Sequence, residues 1–149
     1  MNIYEQQAAE SLAKLVTPLA VSESGAAGNG AYAPIGTTVL SGLYDWIAVE
    51  VACAAADMTG DGFKVEKIAA SGGAVLPWLA GAQWADGSQF GEHEESGVDD
   101  DGDGHYVYQL DTGESAFVRL CVTGLYSVKF SAIGNGATIT IAGSATKGG

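Results

Sequence analysis

The chain has 149 residues, 47% of them hydrophobic, which is enough for one domain with a proper core and a short appendage. Its formal net charge is −12, from 18 acids and only 6 bases. Those bases are scattered without a basic stripe, so a phosphate backbone or an anionic membrane surface is excluded as a partner.

The N-terminus, Met1-Asn2-Ile3-Tyr4-Glu5, has neither a basic n-region nor a long apolar h-region, and so does not read as a signal peptide. No apolar run reaches the roughly 20 residues needed to span a bilayer. Residues 3–16 read as an amphipathic helix, with Ile3, Tyr4, Ala8, Leu12, Leu15 and Val16 near one face. Thr17-Pro18 ends it. A helix this short is not stable alone in water, so its apolar face must dock, either on its own domain or on another chain.

Residues 22–38 are rich in Ser, Gly, Ala and Asn, which is linker composition. The sequence therefore divides into a helix and flexible arm over residues 1–37 and a β domain over 38–149. A short strand is expected at Thr38–Leu40. In the next run Ile47, Val49, Val51 and Cys53 alternate with Trp46, Ala48, Glu50 and Ala52. The turn from Asp57 to Gly62 leads into Phe63, Val65 and Ile68, and the two runs read as a hairpin. Val75–Leu79 is broken by Pro77, so it is an edge strand or a loop.

The clearest alternation runs from Tyr106 to Ala142. Tyr106, Tyr108 and Leu110 share one parity, then Val118, Leu120 and Val122, then Tyr126, Val128 and Phe130, then Ala137, Ile139 and Ile141. Turns at Asp111-Thr112-Gly113, Gly124-Leu125 and Gly134-Asn135-Gly136 separate the sets. The pattern predicts an antiparallel meander with one buried face. With the earlier runs it gives about seven or eight strands, an antiparallel β-sandwich or jelly roll. Val49, Val51, Val118, Leu120, Val128, Phe130, Ile139 and Ile141 are its expected core.

Chemistry is sparse. Eight of the 18 acids lie between Ala85 and Gly104, a stretch without Lys or Arg. Such density is either solvated or neutralised by a cation. Within it Asp99, Asp101 and Asp103 match the first half of a calcium loop, D-x-D-x-D-G, and are the candidate Ca²⁺ ligands. Leu110 stands where an EF-hand has its bidentate Glu, and the flanks are strands, so an EF-hand is excluded. Asp57-x-Thr59-x-Asp61-Gly62 is a weaker echo that a turn explains as well.

His93 and His105 are the only histidines. They form no H-E-x-x-H motif, and a hydrolase would need one of them to face a carboxylate pair. Cys53 and Cys121 read as reduced core thiols unless their strands prove to be neighbours. Trp46 reads first as core. Trp78 and Trp84 lie closer to a loop, where indoles stack on sugars or anchor protein interfaces.

As a whole the layout resembles capsid decoration (cement) proteins of tailed bacteriophages. The likeness rests on the helix from Tyr4 to Val16, the stretch from Ser22 to Gly36, and a Gly-rich acidic β domain ending in Tyr126–Phe130 and Ala137–Gly143. It implies a non-enzymatic virion protein on the capsid surface, assembled in the host cytoplasm. It further implies an oligomeric β domain, often a trimer, and an arm that clasps the major capsid protein or another virion protein. No nucleic acid or membrane is then a partner. The alternative is a carbohydrate- or receptor-binding sandwich of an adhesin or tail fibre, for which Trp78 and Trp84 would form the platform.

Overall fold

A computed structural model describes residues 2–7, 16–60, 62–80, 93–96, 99–100, 106–107 and 109–148. Residues 3–7 are helical. Asn2 caps them reciprocally: its side-chain oxygen accepts the Glu5 N–H at 2.9 Å, and its own N–H donates to the Glu5 carboxylate at 3.3 Å. This is a capping box, and it starts the helix where the sequence places it.

The rest is built of strands: β1 (Leu19–Ala26), β2 (Ala33–Val39), β3 (Trp46–Ala54), β4 (Phe63–Ile68), β5 (Val75–Ala80), β6 (His93–Ser96), β7 (Asp99–Asp100), β8 (Tyr106–Val107), β9 (Ser115–Cys121), β10 (Ser127–Ala132) and β11 (Thr138–Thr146). They form a five-stranded sheet in the order β1-β11-β3-β9-β6, a four-stranded sheet β2-β10-β4-β5, and the small β7-β8 pair. Every pairing between strands is antiparallel. The protein is mainly β, an antiparallel β-sandwich, as the alternation predicts.

The core lies between the two main sheets. Val49, Val51, Val118, Leu120, Val128, Phe130, Ile139 and Ile141 are all buried, as expected from parity. Ile47, Phe63, Leu40, Met58 and Leu110 join them. The β-branched residues of β3 and β11 suit the pleated, one-side-buried surface they occupy.

Three expectations are corrected. First, the Tyr106–Ala142 segment is not a meander. β9 and β11 belong to the five-stranded sheet and β10 to the other, so consecutive strands cross the core instead of pairing. Second, β3 and β4 are not a hairpin, because β3 pairs with β11 and β9 while β4 pairs with β10 and β5. A strand's parity fixes which face is buried, and both a hairpin and a crossover satisfy it.

Third, the stretch read as a tether is strand. β1 pairs with β11 over its whole length, from Leu19↔Ala145 to Ala26↔Thr138, and β2 pairs with β10. The linker composition is real, but small residues suit an edge strand as well, and Val21 is buried. The β structure therefore begins at Leu19, well before Thr38.

β5 is the edge strand that Pro77 suggested. Its ladder with β4 shifts register between Val65 and Glu66, where the partners change from Leu79 to Pro77, so Trp78 is skipped. A bulge on an edge strand is where a proline can sit without costing a ladder hydrogen bond.

One core atom is poorly placed. Thr38 Oγ1 is buried and has no hydrogen-bond partner. Its neighbour across the ladder is the buried Val128. Thr38→Val keeps the shape and removes the desolvated hydroxyl, so it should stabilise the fold by ~1 kcal/mol. Chemical denaturation is the measurement; an equal or lower stability would mean that the hydroxyl is bonded in solution.

Candidate functional site

The strands all run between two ends of the sandwich, and one end gathers the features of interest. The four-stranded sheet closes there in a single cross-strand row, Val39↔Ser127↔Ile68↔Val75. Val39 is 50% exposed and Val75 44%, while Ile68 is half-buried. Leu76 on the edge strand is exposed, and so is Leu43 in the turn after β2. That turn is held over the start of β10, with the N–H groups of Leu40 and Ser41 both donating to the Tyr126 carbonyl. Gly124, at φ 78°, supplies the left-handed residue that lets the β9–β10 connection cross here.

The N-terminal segment joins the sandwich at this same end. Tyr44 Oη donates to the Thr17 carbonyl at 3.4 Å, and β1 begins two positions later. Asp45 fixes the adjoining strand ends. Its Oδ2 accepts the Gly148 N–H at 2.8 Å and its Oδ1 the Thr123 hydroxyl at 3.1 Å. Lys147 lies 3.4 Å away. The Gly148 hydrogen bond is the main reason the Asp45 carboxyl titrates below the ordinary 3.8; Thr123 and Lys147 add to it, and burial opposes it.

A folded-state pKa below the unfolded one stabilises the fold above the unfolded value. That contribution is lost as pH falls through the folded pKa, so the window lies below 3.8. Asp45→Asn should therefore lower the melting temperature at neutral pH, and the gap to wild type should close below 3.8. Melting curves of both proteins across pH are the test; a gap that stays constant would remove the assignment.

At the opposite end Asp57 serves the structure. Its Oδ1 accepts both the N–H of Thr112 at 2.7 Å and its hydroxyl at 2.9 Å, which holds its pKa below the usual carboxylate value. This ties the β3–β4 connection to the turn before β9, and it explains Asp57 without a cation. Asp61 lies outside the described residues.

Of the calcium candidates, Asp99 lies in β7, opposite Val107 of β8. Asp101 and Asp103 lie outside the described residues. Among the described residues no group of three His, Cys, Asp or Glu side chains is placed to hold a metal. His93 begins β6, opposite Leu120 of β9; His105 lies outside the described residues.

The aromatic candidates separate in the same way. Trp46 is half-buried on the outer face of the five-stranded sheet, not in the core. The Arg119 guanidinium stacks 3.7 Å from its ring centroid and occupies one face of the indole. Trp78 is placed in β5, and Trp84 lies outside the described residues. Of the residues expected on the helix face, Ile3 and Tyr4 lie in the helix and are exposed at 63% and 79%, whereas Val16 lies in no helix and is half-buried. Ala8, Leu12 and Leu15 lie outside the described residues.

Cys53 and Cys121 are free, the first buried and the second half-buried rather than core. Their strands are neighbours, but Cys121 is registered with Trp46 at one end of β3 while Cys53 sits near the other. At a strand's rise per residue they are about 23 Å apart, too far for a disulfide.

Sequence reasoning missed the apolar end. Val39 and Val75 are legible as strand residues, but nothing in their spacing says that four strands bring them into one row.

The fold and this end define an antiparallel β-sandwich that the N-terminal segment enters through Thr17. The chain is similar in structure to a prophage-derived protein, the SPBc2 prophage-derived protein YomS, whose crystal structure it matches with a TM-score of 0.47 and 10% sequence identity over 88% of this chain and 96% of that chain. No protein-family model and no curated protein matches the chain.

Proposed function

We propose that the protein is a non-enzymatic structural component of a tailed-phage virion, of the capsid decoration type, whose N-terminal helix is its attachment element. One observation carries this reading. The sandwich core begins with Leu19 and Val21 and, among the described residues, takes nothing from the helix, whose Ile3 and Tyr4 stay exposed behind a well-formed cap. A capped helical turn whose described apolar residues are exposed and outside the core reads as a docking element awaiting a partner. The strong negative charge keeps such a protein soluble before it assembles.

The test is removal of residues 2–16. The deletion stops short of Leu19 because β1 starts there. The truncated chain should melt as wild type does and should no longer co-sediment with assembled capsids. Loss of the fold would put the helix in the core, and normal incorporation would put the attachment surface on the sandwich; either result defeats the reading.

A further inference from the structure

We propose that the free edge of β1 receives an extended segment of a different protein as an added strand, one that places a Lys or Arg opposite Glu23. The proposal rests on the reading of the protein as an assembly component and gives it a second contact, separate from the helix.

Among the described residues the two main sheets have four edge strands, and three of them are guarded. β2 carries Pro34 and a register shift beside it. β5 carries Pro77 and a register shift of its own. β6 is only four residues long. Prolines, irregular ladders and short length keep an edge from pairing. β1 has none of them. It runs eight residues, Leu19–Ala26, in unbroken register with β11, and contains no Pro, Lys or Arg. Its outer-face residues Ala20, Ser22, Ser24 and Ala26 are small and exposed, so no bulky side chain shields the backbone. Among the described residues no backbone group of β1 bonds to anything but β11. A row of N–H and C=O groups with no partner on one side is a template for strand addition.

The one charge on this strand selects what is added. Glu23 is half-buried, and its carboxylate lies over Gly36 of β2, in the space a side chain at that position would fill. Among the described residues it has neither an ion pair nor a hydrogen bond. An added strand would cover it further, and a carboxylate covered without a partner is costly. The edge therefore rejects a strand that brings an apolar or acidic residue to this position and accepts one that brings a base. The neighbouring inward positions set the rest. Val21 is buried, Leu19 packs against the core, and Gly25 sits against Ile35, so the segment needs apolar side chains beside them. The matching sequence alternates, with its base at one inward position.

A second copy does not fit this edge. In any pairing of β1 with itself Glu23 faces a residue of the same strand, and none of them is basic. The net charge of −12 likewise works against self-association and in favour of a basic segment.

The test is a titration of the full-length, isotope-labelled chain with a capped octapeptide, Thr-Val-Thr-Lys-Thr-Val-Thr-Val, read by amide resonances and amide hydrogen exchange. Antiparallel to β1, its Lys falls opposite Glu23 and the two Val residues on either side of it opposite Gly25 and Val21. Binding should saturate, shift the resonances of Leu19–Ala26 and slow the exchange of the free amides of that strand. Replacing the peptide Lys by Glu, or Glu23→Gln in the protein, should weaken it about tenfold. Peptides N-methylated at alternate residues should fail in one frame and bind in the other, because an added strand offers only one of its edges. If Glu23→Gln lowers the melting temperature, a salt series on wild type replaces it, and the advantage of the Lys peptide over the Glu peptide should shrink as salt rises.

No binding, equal binding of the Lys and Glu peptides, binding that leaves β1 unshifted, or equal binding of both N-methylated frames would each overturn the proposal. So would a wild type that dimerises with protection of the β1 amides, which would give the edge to a second copy. The 2–16 deletion leaves β1 intact, so its capsid incorporation reports on the helix alone and the peptide titration on the edge alone.

Discussion

Phe130→Ala should cost the fold ~3–5 kcal/mol. Phe130 is 1% exposed and is among the largest fully buried side chains of the described residues. It sits in β10, at the centre of the four-stranded sheet, between Gly36 of β2 and Val65 of β4. Rigid backbones surround it on both sides, and the facing sheet supplies Val49, Val118 and Ile139 to the same core. Such a site cannot collapse to fill the hole, so the loss is the transfer free energy plus the cavity term. Urea denaturation measures it. A cost below about 1 kcal/mol would mean that Phe130 does not face the core. Leu120→Ala, on the opposite sheet, should cost ~2–5 kcal/mol for the same reason.

Gly143→Ala should be comparably damaging, through overlap instead of a cavity. Gly143 lies in β11 opposite Val49 of β3, the pair at the heart of the five-stranded sheet. A Cβ there would overlap the Ala48 carbonyl oxygen and come within 2.8 Å of Val49 Cα. Both are backbone atoms of a strand paired on both sides, so neither can move without opening the ladder. Overpacking of this kind costs about 1–3 kcal/mol and sometimes more, and here it should fall at or above the top of that range. Gly25→Ala is the control. In β1 the added Cβ would meet Ile35 at an ordinary 3.7 Å. That substitution should be neutral or mildly stabilising, since alanine orders a strand more cheaply than glycine. Equal melting temperatures for the two variants would refute the steric argument.

Much of the interior is legible in the order of residues alone. The alternation in Ile47–Cys53, Val118–Val122, Val128–Phe130 and Ile139–Ile141 determines which side chains are buried, because a strand has only two faces and one of them must leave water. The amphipathic repeat and Asn2 with Glu5 determine that a helix starts at the N-terminus, a local matter of caps and spacing. Pro77 keeps Val75–Leu79 out of a central strand position, since a proline cannot donate to a second neighbour, and the structure makes it an edge strand.

The tertiary structure decided the rest. Parity is the same whether the next strand pairs alongside or crosses the core, so the sequence carries no signal that β9, β10 and β11 alternate between sheets. Ser22–Ala26 has linker composition, and it lies in a strand because β11 offers it an open ladder; strand formation answers to neighbours more than to intrinsic preference. The candidate site belongs to this second class. Val39, Ile68 and Val75 fall in one cross-strand row only because β2, β10, β4 and β5 lie side by side in that order, and the chain enters the sandwich at that end because Tyr44 holds Thr17 there. Periodicity tells each segment which way to face, but contacts between residues far apart in the chain determine which segments share a surface.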